Sequence, residues 1–297
     1  MTDMDPRSYY DEFGEREWER LDRDPVTRME FENTTDYLAD YLPEAASESD
    51  STLESDAASE SEAASSSDPV RVLDVGGAAG RYACWLAERG YEVTLADLSA
   101  TQVDLARENA AERGVADRVT ARQGDVRDLD FAADEFDAVC CLGGPLSHVV
   151  DDAERATAMA ELRRVARPDA PVFVSVIGRL AMLRDVLKFV VDDSHGLLVP
   201  VAEDGDYTEA RVDELADGEG WAECHGFRAD EFEAELVDAG LSVETLVGLE
   251  NVASRMKREL ADASDAALAD VRAVVRLLRE DRTAVDCSEH ILAVCRA

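Results

Sequence analysis

The stretch Val72-Leu73-Asp74-Val75-Gly76-Gly77-Ala78-Ala79-Gly80 decides how the chain must be folded. An apolar run ends in a glycine-rich turn, and the helix-like run RYACWLAERG follows. This order predicts a buried strand, a tight turn and a helix, and glycine lets the backbone of the turn approach a ligand closely. The turn does not fit G-x-G-x-x-G from either Gly76 or Gly77, so the dinucleotide fingerprint is absent.

Strand-like and helix-like segments alternate on the C-terminal side of this turn. The strands are predicted in YEVTLAD, DRVTARQGD, FDAVCCLGG and APVFVSVIG, with later strands in LSVETLVGLE and EHILAVCRA. Ser99 and Gln102 have the spacing of a capping box, which predicts a helix start. Right-handed crossovers then predict an α/β fold, a doubly wound and mostly parallel sheet of seven strands.

Composition divides the chain into three parts. Residues 1–43 are predicted to form N-terminal helices that cover the site as a lid, with breaks at Pro25 and Pro43. Residues 44–68 are rich in serine and acid, have one large apolar residue and predict a disordered linker. Residues 69–297 form the main domain, and an insertion at about 179–228 is expected to shape the acceptor pocket.

Acidic residues stand at the ends of the first three predicted strands. Asp97 ends the second strand, 23 residues after Asp74, and an acid at this place can accept both hydroxyls of a ribose. Asp125 closes the third strand. Because ligands bind at the carboxyl ends of the strands in such sheets, we expect these acids to surround one site.

Several motifs together resemble one family. The pattern D-x-G-x-A-x-G over Asp74–Gly80, with Ala78 in place of the usual middle glycine, resembles motif I of class I S-adenosylmethionine-dependent methyltransferases. FDAVCCLGGPLSHV resembles a D-x-V-x-x-x-G-P-L-Y-H signature of a small-molecule branch, with Ser147 replacing tyrosine, and ELRRVARPDAPVFVSV resembles the helix and strand that follow it. The resemblance implies S-adenosylmethionine as cofactor and a small-molecule methyl acceptor.

The same resemblance implies the residues of the site. Asp97 is expected on the ribose and Asp125 beside the adenine. The whole cofactor-binding set is Asp74, Gly76, Gly77, Ala78, Gly80, Asp97, Leu98, Asp125, Val126, Leu142, Gly143 and Tyr10.

Histidine is the residue best tuned to accept a proton near neutral pH. The resemblance places His148 just past the strand-four end that faces the methyl group, and His225 before a late helix on the acceptor side, so these two are the candidate catalytic bases. Both are also expected to contact the acceptor, together with Glu250. Each histidine has an equally good interpretation as a structural residue. No metal is predicted, because Cys224 and His225 have no further ligand at a typical spacing.

Charge sets the expected environment. The chain has 67 acidic and 30 basic residues, a formal net charge of -37, and only two lysines. Such self-repulsion becomes tolerable in salt, since the Debye length is about 3 Å at 1 M. The composition therefore resembles that of halophile proteins. No nucleic-acid partner is expected from so negative a chain, but salt adaptation would make even a nucleic-acid enzyme acidic, so the charge says little about partners. Six cysteines without CxxC spacing, and no apolar run of membrane-spanning length, predict a cytoplasmic protein without a membrane partner.

Three alternatives remain open from the sequence. The first is an NAD(P)-dependent oxidoreductase on a similar sheet, which the failed glycine fingerprint disfavours. The second is a regulatory protein that binds S-adenosylmethionine without turnover. The third is a methyltransferase with a protein or RNA acceptor, which the absence of an Asn-Pro-Pro-Tyr-like signature disfavours.

Overall fold

A computed structural model describes residues 4–45, 68–217 and 220–297. The predicted linker at 44–68 lies, apart from its first two residues and its last, outside the described residues. The strands are β1 Arg71–Val75, β2 Glu92–Asp97, β3 Val119–Gln123, β4 Ala138–Cys141, β5 Pro171–Ile177, β6 Asp206–Tyr207, β7 Cys224–His225, β8 Ser242–Gly248 and β9 His290–Arg296.

The helices alternate with these strands through most of the chain. They are α1 Pro6–Phe13, α2 Arg16–Arg20, α3 Pro25–Tyr41, α4 Arg81–Ala87, α5 Ala100–Glu112, α6 Asp152–Val165, α7 Arg179–Phe189, α8 Val191–Ser194, α9 Leu198–Asp204, α10 Glu209–Leu215, α11 Ala229–Asp238, α12 Lys257–Leu260, α13 Asp265–Leu278 and α14 Arg282–Asp286. No helix within the described ranges is long and apolar enough to cross a membrane.

Seven strands form one sheet in the order β3-β2-β1-β4-β5-β9-β8, which confirms the predicted fold class. Strands β1 to β5 pair in parallel. The last strand, β9, lies antiparallel between β5 and β8. Strand order reverses at β1 and β4, so the site is expected where these two strands end.

The sheet is buried on both faces. Along β1, Val72 packs into one apolar cluster and Leu73 into another, because successive side chains of a strand point to opposite faces. All four residues of β4 are buried. Continuous apolar strands such as VLDV and AVCC therefore reflect helices on both sides of a parallel sheet.

The start of α5 connects the sheet to the N-terminal helices. Ser99 Oγ accepts a hydrogen bond from the Gln102 amide at 3.1 Å, as the capping pattern predicts. The Gln102 side chain does not complete the box, because its Nε2 donates to the carbonyl of Tyr10 at 2.9 Å. A residue that the sequence suggests as a local cap thus attaches α1 to the sheet.

Candidate functional site

A cavity of about 370 Å³ lies at the carboxyl ends of β1, β2 and β4, with residues of α1 and α2 on its other side. Eleven of the residues proposed from the sequence line it: Tyr10, Gly76, Gly77, Ala78, Asp97, Leu98, Asp125, Val126, Leu142, Gly143 and His148. The cavity is therefore at the switch point where a doubly wound sheet binds its ligand.

The glycine turn is tightly packed from below. A Cβ on Gly76 would lie 2.4 Å from Cγ of Pro145, and one on Gly77 would lie 2.6 Å from Oδ2 of Asp74. Ala78 has φ of 46°, in the left-handed region that side chains rarely adopt. Its amide donates to Oδ2 of Asp97 at 2.9 Å, which holds this conformation.

Asp74 lies beneath the turn rather than in the cavity. It is 1% exposed, and neither carboxylate oxygen has a hydrogen-bond partner of good geometry among the described residues. Burial, followed by repulsion from Asp97, raises the pKa of Asp74 to about 7. Gly80 also lies outside the cavity lining, at the N-cap of α4, where φ is 84°.

Asp97 faces the cavity with both oxygens anchored. Oδ2 accepts from the amide of Ala78, and Oδ1 accepts from the amide of Ser99 at 2.8 Å. Burial raises the pKa of Asp97 to about 6, although these two amides oppose the shift. Each carboxylate oxygen keeps a further lone pair, so Asp97 can accept two more hydrogen bonds from a ligand.

Asp125 is paired with a neighbouring arginine. The Arg127 guanidinium donates to both of its oxygens, with Nε at 2.9 Å from Oδ1 and Nη2 at 2.6 Å from Oδ2. These bonds lower the pKa of Asp125 below its ordinary value. Arg127 also pairs with Glu154, so three charged residues form one wall of the cavity.

Tyr10 and His148 close another wall. The Tyr10 hydroxyl and Nε2 of His148 are 3.0 Å apart, and Nδ1 of His148 lies 2.8 Å from the carbonyl of Glu223. A carbonyl can only accept, so Nδ1 carries the proton and Nε2 accepts from Tyr10. Burial lowers the pKa of His148, although the bond to the Glu223 carbonyl opposes this shift. The ring is therefore neutral at pH 7.

The structure does not bring His225 and Glu250 to this cavity, contrary to the expectation that they contact the acceptor. His225 is buried against Asp206, and Glu250 is buried against Ser288 and His290. Both side chains are about 97% or more buried away from the cavity lining. Nothing in the local sequence distinguishes a histidine or glutamate that lines the cavity from one that is buried elsewhere.

Several charged residues of the cavity were not identified from the sequence. Arg20 of α2 donates to both oxygens of buried Glu30, at 2.7 and 3.1 Å, and its Nε donates to Glu17. Arg81 of α4 pairs with Asp22. These residues lie far from motif I in sequence or outside its pattern, and only packing of the N-terminal helices on the sheet brings them to the cavity.

Comparison with known proteins gives the family of the central region. Residues 72–169 match the family model described as a methyltransferase domain. The chain is 35% identical over 124 residues to the methyltransferase GfsG of Streptomyces halstedii, covering 41% of this chain and 40% of that protein. It is 34% identical over 146 residues to the tRNA 5-carboxymethoxyuridine methyltransferase of Escherichia coli, covering 48% of each.

The fold comparison extends over more of the chain. A SAM-dependent methyltransferase from Methanosarcina mazei has a similar fold, with a TM-score of 0.51 and 20% identity, covering 76% of this chain and 91% of that one. The chain spans less than half the length of the curated relatives above. Residues 72–169 therefore match a methyltransferase domain, and the chain has the fold of the Methanosarcina mazei SAM-dependent methyltransferase.

Proposed function

We propose that this chain is an S-adenosylmethionine-dependent methyltransferase that acts on a small-molecule acceptor. The observation that carries the proposal is one cavity that joins the glycine turn and Asp97 to the Tyr10–His148 pair. Cofactor-binding groups and a neutral histidine thus lie around the same enclosed space, which a protein that only binds the cofactor would not require.

The residues present fit S-adenosylmethionine. The backbone of Gly76 to Ala78 offers close approach, and the spare lone pairs of Asp97 suit the two hydroxyls of a ribose. Asp125 and Val126, with Leu98, would border the adenine, while Leu142 and Gly143 would border the methionine part. Asp74 and Gly80 would not contact the cofactor but would support the conformation of the glycine turn.

Binding of the cofactor should weaken in acid. Ribose hydroxyls donate to the ionised form of Asp97, whose pKa without ligand is raised to about 6. Binding therefore lowers this pKa and releases a proton. We expect constant affinity for S-adenosylhomocysteine above pH 7 and a loss of about tenfold per pH unit below 6, measured by isothermal titration calorimetry.

Proton release provides the control for this pH profile. At pH 6, the measured enthalpy should vary with the ionisation enthalpy of the buffer, and at pH 8 it should not. An affinity that rises from pH 7 to pH 5 would contradict the role of ionised Asp97.

S-adenosylmethionine supplies an electrophilic methyl group, so the chain has to position an acceptor, exclude water and remove a proton where the acceptor carries one. Nε2 of His148 is the candidate atom to receive that proton, because the ring is neutral and Nδ1 is fixed on Glu223. Tyr10 covers Nε2 and would either relay the proton or move aside for the acceptor. In this proposal α1 and α2 act as the lid.

The limited size of the cavity supports a small acceptor. Its volume of about 370 Å³ is in the range of small-molecule sites, and the cofactor would fill part of it. The E. coli relative is named for a tRNA substrate, so the class of acceptor has to be tested directly.

We also propose that the protein works in a salt-rich cytoplasm, where its charge is screened.

The experiment is a transfer assay with methyl-labelled S-adenosylmethionine and three separated fractions: metabolites, RNA and protein. We expect label in the metabolite fraction, dependent on the chain. Label in the RNA or protein fraction would show that the acceptor is a macromolecule and would contradict the proposed small-molecule acceptor. No transfer to any fraction, with normal cofactor binding, would favour the regulatory alternative.

A further inference from the structure

His225 has an unusual environment outside the cavity. It lies on β7, is 3% exposed, and its ring packs edge-on against Phe227 at 4.6 Å between ring centroids. Nδ1 is 2.6 Å from Oδ1 of Asp206. Nε2 is fully buried and has no hydrogen-bond partner among the described residues. A buried nitrogen without a partner costs free energy unless something else occupies its lone pair.

Two carboxylates of α11 surround this nitrogen. Glu231 and Glu235 are four residues apart, so they lie on one face of the helix. One donor atom each of His225, Glu231 and Glu235 lies within 4.8 Å of the others. Nε2 of His225 and Oε1 of Glu231 face each other at 3.5 Å.

That distance is too long for a strong charge-assisted hydrogen bond, which would be about 2.7–2.9 Å. It suits two ligands of one metal ion. With bonds of about 2.0–2.2 Å to nitrogen and oxygen, the edge of a tetrahedral zinc site is about 3.4 Å. The pair therefore has the spacing of adjacent ligands around a small divalent cation.

The charges around the pair also favour a cation. Asp206, Glu231 and Glu235 are opposed by two arginines. Arg179 lies 2.5 Å from Oε2 of Glu231, and Arg155 donates to both oxygens of Glu235, at 2.9 and 3.1 Å. Three carboxylates against two guanidinium groups leave one negative charge when His225 is neutral.

We propose that His225, Glu231 and Glu235 bind one zinc ion, with Asp206 as the carboxylate that orients the histidine. Asp206 holds the proton on Nδ1 and leaves Nε2 as the ligand atom, an arrangement typical of zinc-bound histidines. Imidazole and carboxylate ligands together favour zinc over magnesium, which prefers oxygen alone. Both oxygens of Glu235 also accept from Arg155, so Glu235 would bind the ion through a remaining lone pair, and water would complete the coordination.

A second cluster of acids and histidine lacks a buried nitrogen without a partner. Glu30, Glu250 and His290 also lie close together. Its carboxylates are bonded much as Glu235 is to Arg155: Glu30 accepts two bonds from Arg20, and Glu250 accepts from Ser288 and from the backbone and ring of His290. None of these three side chains has the unpartnered nitrogen that distinguishes His225.

The zinc ion would join the antiparallel β6–β7 pair to α11. The two strands carry Asp206 and His225, and α11 carries the two glutamates. Glu223, two residues before His225, accepts from His148 and donates its amide to the carbonyl of Met4. The ion would therefore stabilise a wall of the cavity without touching its contents.

The test is zinc binding by the full chain after chelator treatment, measured by competition with a chromophoric chelator and by metal analysis. We expect one zinc per chain and visible absorption of a tetrahedral site when cobalt(II) replaces zinc. His225→Ala and the nearly isosteric Glu231→Gln should abolish tight binding, and Asp206→Asn should weaken it about 10- to 100-fold.

Controls make the result specific. Glu233→Gln removes the same charge from α11 but from a residue that pairs with Arg282, and it should keep the parent affinity. His290→Ala tests the second cluster and should also keep it. Absence of zinc binding by the parent chain, unchanged affinity in folded Glu231→Gln, or loss confined to His290→Ala would each overturn the proposal. Circular dichroism establishes which variants are folded, and the assay requires no methyl transfer.

Discussion

Asp97→Ala is expected to weaken binding of S-adenosylmethionine by at least about 100-fold. In the proposed complex, the carboxylate accepts from two ribose hydroxyls, and hydrogen bonds to a charged group contribute roughly 1.5–3 kcal/mol each. The substitution also removes the acceptor for the amides of Ala78 and Ser99, so the glycine turn loses its anchor. Calorimetry with S-adenosylmethionine and S-adenosylhomocysteine measures the loss.

An exposed aspartate provides the matched control. Asp117→Ala removes the same charge from the loop before β3 and should leave the affinity unchanged. Thermal unfolding in the same salt identifies any variant that fails to fold. If Asp97→Ala is folded and binds within threefold of the parent, the proposed cofactor site is wrong.

His148→Ala is expected to lower turnover by about 10²- to 10⁴-fold, the range that a general base contributes. Its Nε2 is the neutral nitrogen held beside the cavity, with Nδ1 fixed by the Glu223 carbonyl. Affinity for S-adenosylhomocysteine should change much less than turnover. The measurement is the initial rate on the acceptor that the fraction assay identifies.

Two further variants separate the possible roles of this pair. Tyr10→Phe keeps the ring but removes the hydroxyl, so it should slow turnover if Tyr10 relays the proton and spare it if Tyr10 only covers the site. His195→Ala changes an exposed histidine and should have no effect. Parent-like turnover in His148→Ala would show that the acceptor needs no base from this residue.

Much of the fold can be predicted from local patterns. Apolar runs of strand length, separated by helical periods and by glycine or capping residues, predicted the seven strands. This works because a parallel sheet covered by helices requires continuous apolar strands. The order of the last two strands was not predictable in the same way. β9 lies between β5 and β8 because of pairing between distant segments, which no local pattern records.

In the site, too, local patterns predicted some residues, and only the packing of distant segments placed the others. Asp97 and the glycine turn were predictable because strand ends and a motif place them at one edge of the sheet. Ala78 shows the limit of the motif, since only the structure reveals that this alanine adopts a left-handed conformation held by Asp97. Arg20 reaches the cavity through α2, which local spacing does not position.

By itself the sequence determined the doubly wound fold and the strand-end acids, because these depend on short-range periodicity and on residues adjacent in the chain, while the cofactor class was implied by a family resemblance. Only the tertiary structure showed which histidine lines the cavity. His148 lies in the cavity wall, while His225 lies against Asp206 and close to two glutamates of α11. In a chain with 67 acids, spacing cannot single out the carboxylates that meet a histidine. Only packing brings those particular charges together.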